Sequence, residues 1–331
     1  MEASRFHHAR PDMVVRDSSA VPTRVSAKVA EPLRMAGSTS LALVALGVAL
    51  AAAALMGPLA LGLIEWRVSA NSLNQTYGAD GAALALLAPA SLAAALIAWR
   101  GRPVAAPLAF GVGLASLYYG VASVLGADYV QYQGNNERFF LLFLAIIVLS
   151  WTVAARGWSA MGASSRQPGR TLARATAVVF VAGGLAIASA WLVQLATIAT
   201  NGGLTAASDL QAYRESPSAF WLVRIVDLGF IVPLAVASGA GLWRGSPGAA
   251  RAATGIAAFL TLQASAVLAM GVIMLLRSDP TATPGLVVVL APITLALAFL
   301  TVRLLMTHER AALPEVPISP ASRLAESGSH G

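Results

Sequence analysis

The chain contains no cysteine in 331 residues. Disulfides, thiolate metal sites and thiol redox chemistry are therefore excluded. Histidine is nearly as scarce. His7, His8, His308 and His330 are the full set, and all are expected outside the hydrophobic runs. A bis-histidine haem within a bilayer and a histidine-built zinc site are thereby excluded, so no metal and no cofactor is expected. Charged residues make up only 11% of the chain. Lys28 is the single lysine; the other basic residues are arginines. There is no Walker loop, no Gly-x-Ser-x-Gly elbow and no paired-aspartate motif, so no catalytic residue is assigned.

Apolar residues fill that space, at 57% of the chain. They gather into eight runs, at 40–63, 82–99, 104–125, 139–155, 175–200, 219–243, 252–276 and 285–306. Each is near the ~20 residues that cross a ~30 Å hydrocarbon core. Backbone groups find no water in lipid, so each run is predicted to be an α-helix. The ~10-residue alternating segments of a membrane β-barrel do not occur. The predicted fold class is an all-α membrane protein of eight transmembrane helices within residues 39–306. Residues 1–38 and 307–331 are polar or proline-rich and are read as disordered tails.

The arginines sort by loop. Arg100 and Arg102, then Arg156, Arg166, Arg170 and Arg174, then Arg244 and Arg251 fall in the even connections, which hold no acid. The odd connections mix Arg67, Arg138, Arg214 and Arg277 with Glu65, Asp80, Asp128, Glu137, Asp209, Glu215 and Asp279. The amino-terminal tail is basic too. This asymmetry predicts a multi-pass protein of the cell membrane with both termini cytoplasmic. The net charge of +7 is spread over those loops without a basic groove. It argues for topology and attraction to membrane lipid, not for nucleic acid.

A second regularity is internal. Pro89, Trp99-Arg100-Gly101, Pro103 and Gly111 recur without a gap 144 residues later as Pro233, Trp243-Arg244-Gly245, Pro247 and Gly255. Two parallel four-helix repeats, about 39–156 and 173–306, are expected. The plain reading of each piece is a kink, a headgroup anchor and a tight turn.

Charge inside a run marks a candidate site, because each such group costs at least ~2.5–3.5 kcal/mol to insert. Arg224 and Asp227 share one face of the sixth run, three residues apart. Tyr118, Tyr119, Gln194, Gln263 and Glu65 fall at compatible depths and complete the candidate intramembrane polar site. A self-neutralising structural pair, or interhelical hydrogen bonds of about 0.6 kcal/mol each, would place the same residue types there.

The stretch Asp227-Leu228-Gly229-Phe230-Ile231-Val232-Pro233, followed by Gly239, Gly241-Leu242-Trp243-Arg244, resembles a known family. Its members are uncharacterised bacterial, actinobacterial-type, polytopic integral membrane proteins with an Asp-Leu-Gly-x-x-x-Pro motif in the sixth span. Tyr118, Tyr119, Gly126, Tyr129, Phe139-Phe140-Leu141, Asp80, Pro89 and Trp191-Leu192 are similar as well. The family's usual Asn-Tyr pair is Tyr118-Tyr119 here, so no role built on that Asn carries over. The resemblance implies eight spans and no particular activity. Three functions stay open: a transporter or permease for a small molecule or lipid substrate, a membrane enzyme acting on a lipid-linked substrate, and a non-catalytic scaffold or sensor.

Overall fold

The computed structural model describes residues 24–162, 168–200 and 211–312, with side chains from residue 37 onward and not at 212 or 309–312. Of the expected tails, 1–38 and 307–331, residues 1–23 and 313–331 lie outside the described residues, and helix reaches into both of the remaining parts. Every described element is helical. Eight helices are long and apolar enough to cross a membrane. They are α1 (Arg24–Met56), α2 (Ala70–Trp99), α3 (Ala105–Leu125), α4 (Phe140–Ala160), α5 (Arg170–Thr200), α6 (Pro217–Trp243), α7 (Pro247–Leu276) and α8 (Pro284–Ala312). The protein is an all-α membrane protein. The start of α1 and the end of α8 share one end of the bundle, here the terminal end; the opposite end is the far end.

Several boundaries differ from the sequence expectation. Helix α1 already runs from Arg24, inside the stretch read as tail, and stops at Met56 rather than 63. Helix α2 begins at Ala70, not at 82. Ser69 caps it, its side chain accepting from the Ser72 N–H. The polar residues Asn71, Asn74 and Gln75 that read as loop are helical, and they bond across to the α7–α8 turn or to each other. Asp80 therefore moves from a loop into a helix, where it is fully buried. His308 also moves inside. It is buried near the end of α8, 3.0 Å from the Thr254 hydroxyl.

The offset of 144 reappears in the backbone. Helix α2 widens into a π turn at Ala83–Leu87 and α6 does so at Asp227–Ile231. Each π turn is followed by a proline, Pro89 or Pro233, which has no N–H to donate and whose ring crowds the carbonyl four residues back. Both helices end on a glycine in the left-handed region, Gly101 at φ 66° and Gly245 at φ 73°. Matching bonds close the two ends: Gly101 N–H to Ala98 at 2.9 Å and Arg102 N–H to Ile97, then Gly245 N–H to Leu242 at 3.1 Å and Ser246 N–H to Gly241. This is the glycine-terminated helix cap expected where a side chain would strain the turn.

Packing repeats as well. Helix α1 packs on α2 and α4 as α5 packs on α6 and α8, and α3 packs on α4 as α7 packs on α8. Gly47 lets α1 lie on Ala88 and Leu92, and Gly184 lets α5 lie on Val232 and Val236, the same two sites 144 residues on. The halves meet along α3 and α7. There Gly111 abuts its own counterpart, with a Cβ on Gly111 falling 2.5 Å from the Gly255 carbonyl oxygen. At the far end the Ser72 and Ser216 hydroxyls, also 144 apart, lie 2.7 Å from each other. Residues that face their own counterparts are what an approximate two-fold axis along the bundle requires.

This contact carries an expected result. Gly111→Ala must push backbone against backbone, so it should cost roughly 1–3 kcal/mol in unfolding of the purified protein in detergent. Gly183→Ala, where a Cβ meets nothing within 4 Å, should stay within about 0.5 kcal/mol of the parent. Equal effects at both would mean that the α3–α7 contact is not close.

Candidate functional site

The π turn of α6 supplies the first half of the site. Asp227 opens that turn and Arg224 lies one helical turn before it. The expected direct ion pair between them is not among the described contacts; a third residue joins them. Trp191 of α5 donates its indole N–H to the Asp227 carboxylate at 2.8 Å. The Arg224 guanidinium lies over the face of the same indole, 4.2 Å from its centroid, and 3.5 Å from the Phe220 ring. Stacking of this kind contributes about 0.5–2 kcal/mol per contact. Arg224 also donates to the Gln194 amide oxygen at 2.6 Å and to the Phe220 carbonyl at 3.1 Å. From α3, the Tyr118 hydroxyl lies against the Asp227 carboxylate. Arg224 is buried, while Asp227, Trp191, Gln194 and Tyr118 are half-buried, so the cluster keeps one open side.

Tyr119, the next residue on α3, serves a different carboxylate. Its hydroxyl donates to Asp80 at 2.8 Å, with both residues buried. The other Asp80 oxygen has no hydrogen-bond partner among the described residues. It points at Gly57, where an added Cβ would fall within 2.4 Å of it. The neighbours Tyr118 and Tyr119 thus hold α3 between a carboxylate of each half.

Of the seven residues expected to form one intramembrane site, Arg224, Asp227, Gln194 and Tyr118 come together. Tyr119 joins Asp80 instead. Glu65 does not join either cluster: it is exposed in the α1–α2 turn, where its N–H donates to the Asn135 side chain at 2.9 Å. Its position beyond Met56, the end of α1, explains the miss, since the first span was read as reaching 63. Gln263 is half-buried on α7, with no hydrogen bond to either carboxylate among the described residues. Trp191, Phe220 and Asp80 were not assigned to the site by sequence reasoning. A usable signal did exist for Asp80: the 144-residue offset aligns it with Arg224, a residue already inside a span.

The far end is closed by polar turns. The 126–139 connection binds the α1–α2 turn, with Arg67 pairing to Glu137 at 2.7 Å and donating to the Tyr132 carbonyl. Asp279, in the α7–α8 turn, accepts from Asn74 at 2.7 Å, from the Thr281 hydroxyl and N–H, and from Asn71. Burial pushes the Asp279 carboxyl up, but these hydrogen bonds outweigh it and hold the group below the ordinary carboxylate range. A lowered folded-state value stabilises the fold above the unfolded value and is lost as pH falls through the folded one. Thermal unfolding should therefore show an acid-dependent loss below about pH 4 that flattens in Asp279→Asn. An unchanged acid limb would remove this turn from the account.

Two cavities lie away from both carboxylates. One, of about 430 Å³, sits at the far end between Val124, Tyr129, Asn136, Glu137, Phe140 and Phe143. The other, of about 390 Å³, opens near the terminal end between Phe110, Trp158 and the α6–α7 turn. Gly241, Gly248 and Ala252 line it. Their counterparts 144 residues earlier are the bulkier Ile97, Val104 and Leu108, so the two halves differ in side-chain size here. Among the described residues no cluster of metal-ligating side chains occurs.

The chain matches no family model, no curated protein and no solved structure. What the site does is therefore argued from its own geometry.

Proposed function

We propose that the protein is a permease for a small polar molecule, with Arg224, Asp227, Trp191, Gln194 and Tyr118 as the substrate-contacting cluster. One observation carries this reading. Two helices at equivalent places in the two halves break into π turns, and the turn of α6 begins at an intramembrane carboxylate. Wide turns of this kind occur at functional sites, and interrupted helices between repeats are where transporters hold their substrates. A guanidinium, a carboxylate, an indole and a phenol within one cluster suit a solute that both donates and accepts hydrogen bonds. The arginine asymmetry supports a cell-membrane orientation with both termini cytoplasmic, and tags at residues 133 and 168 should then label from opposite faces. The family resemblance at Asp227–Pro233 belongs to the same proposal.

The test is a thermal-stability screen of the purified protein against amino acids, sugars and organic acids, followed by uptake of each stabilising compound into proteoliposomes. The expected result is uptake by the parent protein and a folded Asp227→Asn variant without it. A compound that is bound and chemically altered instead would move the protein to the membrane enzymes. Stabilisation and uptake by none would overturn the reading.

A further inference from the structure

We infer that Asp80 and Tyr119 form a proton-binding site, separate from the substrate cluster and coupled to it through α3. The first observation is the burial of Asp80, at 0% exposure. An ionised carboxylate in such a place needs a cation or several donors. Here it has one donor, the Tyr119 hydroxyl at 2.8 Å. Its second oxygen is unpartnered among the described residues and is aimed at Gly57, where the chain leaves α1 for the far-end turn.

Among the described residues, no cation faces it from the helices around it. Helix α1 from 37 to 56 carries no titratable residue, nor does α2 from 81 to 99, nor α7 between Arg251 and Arg277. On α3 the titratable groups are Tyr118, which faces Asp227, and Tyr119 itself. Tyr77, on the helix of Asp80, lies under Arg277. The position equivalent to Asp80 in the second half is Arg224, which is held by Phe220, Trp191 and Gln194 and not by Asp80.

What remains to neutralise Asp80 is a small cation at its unpartnered, buried oxygen. One carboxylate and one hydroxyl are too few ligands for a metal ion that seeks six or more oxygens. A proton needs only the one oxygen. The step is a simple exchange. The proton binds the free carboxyl oxygen from the far-end side and leaves by the same oxygen, while Tyr119 keeps donating to the other. The purpose of the site, coupling a proton to solute movement, rests on the permease reading; its existence does not. The link is short, because Tyr118 and Tyr119 are consecutive residues of α3 and touch the two carboxylates.

The experiment is infrared difference spectroscopy on the full-length protein in lipid, titrated from about pH 4 to pH 9. The expected result is a carboxyl C=O band that titrates in the parent and in Asp227→Asn and is lost in Asp80→Asn. In Tyr119→Phe the same band shifts to higher frequency, because its hydrogen bond is gone. Should Asp80→Asn not fold, the Tyr119→Phe shift decides alone. A band unchanged in both variants overturns the site. Removal of the band by sodium at constant pH reassigns it to an alkali cation and overturns the proton. A titrating Asp80 in a protein that moves no solute leaves this site standing and removes only the permease reading.

Discussion

Arg224→Leu is expected to destabilise the folded protein by roughly 3–5 kcal/mol, the range for breaking a buried charged arrangement from one side. The residue is buried and serves several partners at once. Its removal leaves the Gln194 oxygen without this donor, takes a second donor from the Phe220 carbonyl and uncovers the faces of Trp191 and Phe220. It also leaves Asp227 as an uncompensated negative charge, still bonded to Trp191. Arg224→Leu combined with Asp227→Leu should therefore be more stable than Arg224→Leu alone. The measurement is a double-mutant cycle by denaturant unfolding in micelles, with a coupling energy of at least about 1 kcal/mol expected. Strict additivity would show that guanidinium and carboxylate do not sense each other through the indole.

Deleting Gly229 is expected to abolish uptake while leaving the bundle assembled. Gly229 is exposed in the α6 π turn, and a Cβ there would meet nothing within 4 Å. The deletion takes out the one residue by which a π turn exceeds an α turn. The segment after Pro233 stays fixed by its packing on α5, where Gly239 abuts Ala177, Val181 and Phe180. The wide turn can then close into an ordinary α turn, with the helix on either side held in place and the residues of the turn itself repacked. Asp227, which opens the turn, loses the wide-turn backbone that aims its carboxylate at the Trp191 indole and Tyr118. Loss of uptake with retained secondary structure and a shifted tryptophan emission is the expected outcome. Full uptake after the deletion would show that the wide turn has no part in the site.

The spans were legible because hydrocarbon leaves a chain little choice: apolar runs of the right length must be helices. The two π turns were not legible as such, yet Pro89 and Pro233 gave their positions, since each removes a backbone bond at the same place. The start of α2 was missed for a physical reason. Asn71, Asn74 and Asp80 resemble a water-exposed loop, but their solvation comes from Asp279, Thr281 and Tyr119, residues far away in sequence. Pattern along one helix cannot reveal a partner on another. The same limit explains the candidate site. Arg224 and Asp227 stood out as charges inside a run, and their spacing suggested a mutual pair. The indole that separates and joins them sits on α5, and nothing in α6 announces it.

The two halves share a plan but not a stiffness. The largest buried cluster spans α1 to α4, built around Leu43, Leu46, Leu50, Phe143 and Ile146, whereas the cluster centred on the second half is smaller. On equivalent stretches the difference is moderate: twelve residues of α3 from 105 to 125 are buried, against eight of α7 from 249 to 269. From Thr261 to Met270 every residue of α7 is only half-buried, so that stretch has no fully packed face. Ala269 and Met270 lie close on Gly78 of α2, and in a bilayer acyl chains would border only the parts that no neighbouring helix covers. Under the permease proposal, a rocking motion between the repeats would be lopsided: the first half would act as a stator, and the second would tilt against it on the Gly111–Gly255 contact as a bearing. Its resistance would come from the elasticity of the surrounding acyl chains, so membrane thickness and lipid order would tune the rate of this protein more than temperature-driven loosening of its core.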